Sequence, residues 1–62
     1  MLDRRPKTGD RLIYRGEKLY TVIGRFKDTE EILNILEDGK TDHTQIIWKF
    51  PDGKLNDLID FI

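Results

Sequence analysis

Arg11-Leu12-Ile13-Tyr14-Arg15-Gly16-Glu17-Lys18-Leu19-Tyr20-Thr21-Val22-Ile23-Gly24-Arg25-Phe26, residues 11–26, reads as two strands folded back on each other. β-Branched and aromatic residues fill both flanks, and Gly16 falls where a tight hairpin needs it. In the second flank Tyr20, Val22, Gly24 and Phe26 share one side, and Leu19, Thr21 and Ile23 share the other. Apolar groups on both faces mark a long, strongly bent central strand. Gly24 is its natural bend or bulge point.

Working outward, Thr8-Gly9-Asp10 is a turn, and residues 1–8 read as a flexible polar arm ahead of a single domain over residues 9–62. Downstream, residues 28–38 allow two structures. Asp28 and Glu31 are spaced as a capping box, Gly39 can close a helix, and Ile32, Leu33 and Leu36 then share a face. Alternatively Glu31 to Glu37 is a strand, with Leu33 and Ile35 on one side and Asp38-Gly39 as the following turn. The strand is preferred, because two paired hairpins bury the apolar faces of all four segments at once. Residues 43–50 then form another strand, with Ile46, Trp48 and Phe50 inward and Gln45, Ile47 and Lys49 outward. Pro51-Asp52-Gly53 ends it. The tail spaces Leu55, Leu58, Ile59 and Ile62 at i, i+3, i+4 and i+7, which predicts a short C-terminal helix capped by Asn56.

The run Pro6 to Val22 resembles the opening of small SH3-like barrels, including KOW and Tudor-type modules and short phage and mobile-element proteins. It carries their Gly-Asp turn, short apolar strand, glycine hairpin and aromatic-x-Val strand. In outline the hairpin, further strands and terminal helix are also similar to small archaeal chromatin proteins, although those are strongly basic. The resemblance covers about a quarter of the chain. It implies an SH3-like, strongly bent antiparallel sheet or barrel of four to five strands, mainly β, with a short C-terminal helix. The alternative is an α+β fold with a helix at about residues 29–37 over the sheet. Modules of this kind bind peptides or nucleic acid.

Sixty-two residues make one domain with a thin core, too thin to enclose a deep pocket of roughly 300 Å³. No cysteine is present, which removes disulfides, thiolate zinc sites and cysteine nucleophiles together. Small secreted domains are usually stapled, so a cytoplasmic home is expected. Apolar runs are short, so no membrane span is expected. Serine is also missing, and His43 is the single histidine. Serine and cysteine nucleophile systems are therefore excluded, and Asp42 and His43, adjacent on a strand, point to opposite faces. Asp38, Asp42 and His43 are too few and too irregular to hold a metal, and the isolated glycines cradle no phosphate. A non-catalytic domain without cofactor or metal is the expectation.

Charge supplies the rest. The net charge is −1, yet residues 1–27 hold eight basic groups against three acids, and residues 28–62 hold three against nine. Such asymmetry marks polar interaction surfaces unless basic and acidic strands lie side by side and neutralise each other. The favoured function is a small protein-binding accessory module, of the kind phages and mobile elements encode to modulate a larger host protein. It would bind through Glu30, Glu31, Glu37, Asp38 and Asp42. The alternative is weak nucleic-acid binding through Arg11, Tyr14, Arg15, Lys18, Arg25 and Lys27, with cations on phosphates and tyrosine as a stacking platform.

Overall fold

The computed structural model describes residues 2–26 and 29–62. Its strands are β1 Arg11–Tyr14, β2 Lys18–Arg25, β3 Ile32–Glu37, β4 Thr44–Ile47 and β5 Ile59–Phe61. They form one antiparallel sheet in the order β4-β3-β2-β1-β5, strongly curled into a half-barrel. The fold is mainly β, as the hairpin of residues 11–26 implies. In that hairpin Tyr14 lies opposite Lys18, and the Glu17 N–H donates to the Tyr14 carbonyl at 3.1 Å. The central residues Arg15 and Gly16 have φ of 53° and 71°. Positive φ at both positions matches the right-handed twist of the flanking strands.

The bend in β2 is a bulge. Val22 pairs with Ile35, but the next partner of β3, Asn34, pairs with Gly24, leaving Ile23 as the extra residue. Arg25 then stands opposite Leu33, on the face that carries the core. The expected alternation that put Phe26 beside Tyr20 and Val22 is thereby shifted by one residue, and Arg25 takes that face. Glycine itself is not demanded here: Gly24 has no positive φ, and a Cβ built on it meets nothing within 4 Å. Gly24→Ala is therefore expected to stabilise the fold by about 0.5–1 kcal/mol through a less flexible unfolded chain. Thermal unfolding checks this; a lower Tm for the variant would show that the bulge does need glycine.

Two helical expectations are corrected. Residues 32–37 are strand β3, between β2 and β4, so the helix at about 29–37 does not exist; its proposed cap Asp28 lies outside the described residues. As a helix this segment would strip both neighbouring strands of backbone partners, which outweighs the local capping signal. The C-terminal helix is also not formed. Ile59 is 1% exposed, whereas Ile62 is 70% exposed, so the helical stripe does not share an environment. Instead β5 pairs with β1, matching Leu12 with Phe61 and Tyr14 with Ile59. Without β5, strand β1 would present an open edge. Asn56 serves this strand as it would have served a helix: its Oδ1 accepts the Leu58 N–H at 3.0 Å, and its Nδ2 donates to the Ile47 carbonyl at 2.8 Å. The same side-chain bonding serves caps and turns alike.

The core consists of Leu2, Leu12, Val22, Leu33, Ile35, Trp48 and Ile59. Trp48 is inward as expected, but Phe50, expected beside it, is exposed. Leu2, assigned to a flexible arm by its sequence context, is 2% exposed, and Pro6 is also buried. Arg4 holds this segment down. It forks onto Asp10 at 2.7 and 3.2 Å and lies 4.3 Å from the centre of the Phe61 ring.

The Arg4 fork, reinforced by the Lys7 N–H at 2.7 Å, holds the Asp10 carboxyl below the usual aspartate range. A carboxyl depressed in the folded state adds stability above its unfolded pKa of about 3.9, lost as pH falls through the folded value. The Tm of the native chain is therefore expected to drop in acid below that point, and part of that drop should vanish in Asp10→Asn. Superimposable pH profiles would remove Asp10 from the acid response.

Candidate functional site

Cross-strand partners share a face, so the register sorts every side chain of the sheet. Leu12, Tyr14, Tyr20, Val22, Leu33, Ile35, Thr44, Ile46, Ile59 and Phe61 fall on the concave face. Leu2, Trp48 and Leu55 pack against that face from outside the strands. Ile13, Leu19, Ile23, Ile32, Leu36 and Ile47 fall on the convex face, where Leu19, Ile23 and Ile47 are exposed. This is the two-faced apolarity legible in residues 11–26.

A closed barrel would bring β4 against β5. Here the segment after β4 turns back through a Lys49–Leu55 bridge, and Asn56 ties it to the Ile47 carbonyl. One end of the seam is filled by this hairpin. The other end stays open as a cleft of about 340 Å³, lined by Tyr14, Tyr20, Ile35, Thr44, Gln45, Ile46 and Asn56. A second cleft of about 280 Å³, lined by Tyr20, Glu37, Lys40, Thr41, Asp42 and Thr44, shares Tyr20 and Thr44 with it. Together they make one groove, apolar and aromatic at the Tyr14 end and charged at the Asp42 end. Glu37 enters it because it pairs with Tyr20 across β2 and β3. Only the larger of the two reaches the lower end of the range of small-molecule sites, roughly 300 Å³, and it does so as an open trough and not an enclosed pocket.

The structure divides the five acidic residues expected to bind. Glu30 takes Arg5 at 3.2 Å and Arg25 at 3.4 Å, and Asp38 takes Arg11 at 2.7 Å. The Glu31 carboxylate accepts the Thr29 hydroxyl at 2.7 Å, which holds its pKa below the ordinary glutamate value. Glu37 and Asp42 are the two that line the groove. They stand at the opposite end of β3 from Glu30 and Glu31.

The basic set is likewise spread out. Arg11 also donates to Thr21 at 3.0 Å on the convex face, while Arg25 sits at the far end of β2. Tyr14, Arg15 and Lys18 gather at the β1–β2 hairpin, where the Arg15 guanidinium lies 5.5 Å from the centre of the Tyr14 ring. Lys27 lies outside the described residues. Three of the ion pairs join a cation of residues 1–27 to an acid of residues 28–62, so opposite charges interleave along this surface. Exposed pairs of this kind contribute about 0–1 kcal/mol each; their importance here is to leave neither sign in a continuous stripe.

Thr44, Gln45, Ile46 and Asn56 were not among the expected site residues. Alternation alone puts Tyr20 on the inner face, but bringing β4 to a sheet edge beside Tyr14 depends on strand order, which no local pattern carries. Compared with known proteins, the chain matches no family model, no curated protein and no solved structure. A curled sheet of this size does not by itself identify an SH3-like family.

Proposed function

We propose that the chain is a small, non-catalytic accessory module that binds a larger protein partner through the groove between Tyr14 and Asp42. The observation that carries this reading is the groove itself: a cleft with aromatic and aliphatic walls shares Tyr20 and Thr44 with a cleft whose lining bears Glu37 and Asp42. Apolar walls supply affinity, and the charged end supplies orientation and on-rate. The pairing of Arg11 with Asp38 and of Arg25 with Glu30 counts against the nucleic-acid alternative, because a phosphate would have to compete with a carboxylate for each of those cations. Lack of cysteine favours a reducing compartment, and we place the module in the cytoplasm on that ground.

A photo-cross-linking residue at Thr44, which is exposed on the concave face and lines both clefts, tests this in cells. One dominant protein adduct is expected, identified by mass spectrometry and then reconstituted from purified parts as a stoichiometric complex. The same group at Lys54, in the exposed turn, is expected to give no such adduct, and Glu37→Lys with Asp42→Lys is expected to abolish the one from Thr44. Equal adducts from both positions, or a nucleic-acid adduct that persists at physiological salt, would overturn the proposal.

A further inference from the structure

We infer that the groove's occupant is an extended segment of the partner, added as a further strand on the free edge of β4, with a basic side chain two residues from an apolar one. This rests on the protein-binding reading above and specifies its mode.

The ladder of β3 and β4 supplies the first half of the argument. Ile32 pairs with Ile47, and the Trp48 N–H donates to the Glu31 carbonyl at 2.9 Å. In an antiparallel pair the bonded residues alternate, so Leu33–Ile46 and Ile35–Thr44 also exchange ladder bonds. The backbone groups of Gln45 and Ile47 therefore face away from β3, out of the sheet. Asn56 takes the Ile47 carbonyl. That leaves the Gln45 N–H and carbonyl and the Ile47 N–H aimed along the seam. At the opposite edge, the Arg4 guanidinium lies over the Phe61 ring of β5, and Leu2 joins the core. The two edges are thus treated differently, and β4 is the one able to accept a strand.

Register then dictates side-chain chemistry. Residues of an added strand opposite Thr44 and Ile46 point to the concave face, and the one opposite Gln45 points away. The residue opposite Thr44 arrives where Tyr20, Glu37 and Asp42 line the groove. Two carboxylates beside an aromatic ring suit a lysine or arginine. Lys40 shares that lining and offsets one of the two charges, so the local field still favours a cation. Glu30 and Asp38 cannot do this work, because Arg5, Arg25 and Arg11 occupy them. The residue opposite Ile46 arrives at Tyr14, Ile35 and Asn56, where an aliphatic or aromatic side chain fits.

A random linear dodecapeptide library selected on the full chain provides the probe, and the enriched peptides are then synthesised. Their consensus is expected to hold a basic and an apolar residue two positions apart. At saturation the Gln45 and Ile47 amides should exchange about tenfold more slowly or better. N-methylation of one alternate set of peptide amides should weaken binding about tenfold, a difference of about 1.4 kcal/mol, while the other set has little effect. Glu37→Lys with Asp42→Lys should cost at least as much. Peptides that shift the Tyr14 and Tyr20 resonances, tolerate methylation at either set and leave Gln45 exchange unchanged would overturn strand addition while leaving the protein-binding reading intact. Failure to enrich any peptide also overturns strand addition, and the cross-linking result at Thr44 then decides the broader reading alone. Displacement of bound peptide by a short oligonucleotide at physiological salt would reassign the groove to nucleic acid.

Discussion

Trp48→Ala is expected to take away about half or more of the protein's folding stability. Trp48 is 8% exposed and belongs to the core. It also knots three segments together. Its N–H donates to Glu31, its indole Nε1–H donates to the Glu30 carbonyl, and its own carbonyl accepts the Asn56 N–H at 2.9 Å. Truncation removes the largest side chain of a thin core and costs about 3–5 kcal/mol. A domain of this length has a total stability of only about 3–9 kcal/mol at typical per-residue values. Trp48→Phe weighs the donor against the bulk, since it keeps most of the apolar volume and loses the indole N–H with a small part of the ring. About 1–2 kcal/mol is expected for that variant. Urea unfolding followed by circular dichroism reads both. A Trp48→Ala protein with native-like midpoint would mean that the core closes without the indole.

Asn56→Ala is the second large effect, expected at about 2–3 kcal/mol from the loss of two side-chain bonds at a mostly buried residue. Asn56 is 7% exposed and is the one buried polar side chain among the described residues. Its amide is used at both ends, donating to Ile47 and accepting from Leu58. Asn56→Asp keeps the acceptor and removes the donor, setting a carboxylate against the Ile47 carbonyl. It should therefore destabilise at least as much as alanine. An aspartate variant with wild-type stability would show that the bond to Ile47 contributes nothing.

Much of the fold was legible because it is local. Alternation over residues 18–25 and 32–37, Gly16 in a hairpin position and the Asp38-Gly39 turn all act within a few residues, and strands β1 to β4 follow from them. The tail was misread because its spacing satisfies a helix, whereas the deciding partner, β1, is far away in sequence. Phe26 was placed on the wrong face for a similar reason: a bulge changes the parity of everything after it, and glycine marks only where it can occur. Among site residues, the acidic cluster is visible as a composition, but which members are occupied by Arg5, Arg11 and Arg25 is a matter of strand neighbourhood. Glu37 and Asp42 are distinguished from Glu30 and Asp38 only in three dimensions.

The pairing of β1 with β5 also sets the order in which the sheet can assemble. Leu12 meets Tyr20 across 8 residues of chain and Phe61 across 49. Closing the longer loop costs roughly 1.5 kcal/mol more in chain entropy, so the three hairpin pairings form first and β5 docks late. Interactions made after the rate-limiting step govern how fast the native state opens, and hardly affect how fast it forms. Asn56, at the entrance to β5, sits in that late-forming region. Its loss should shorten the lifetime of the folded chain while leaving its refolding rate nearly unchanged.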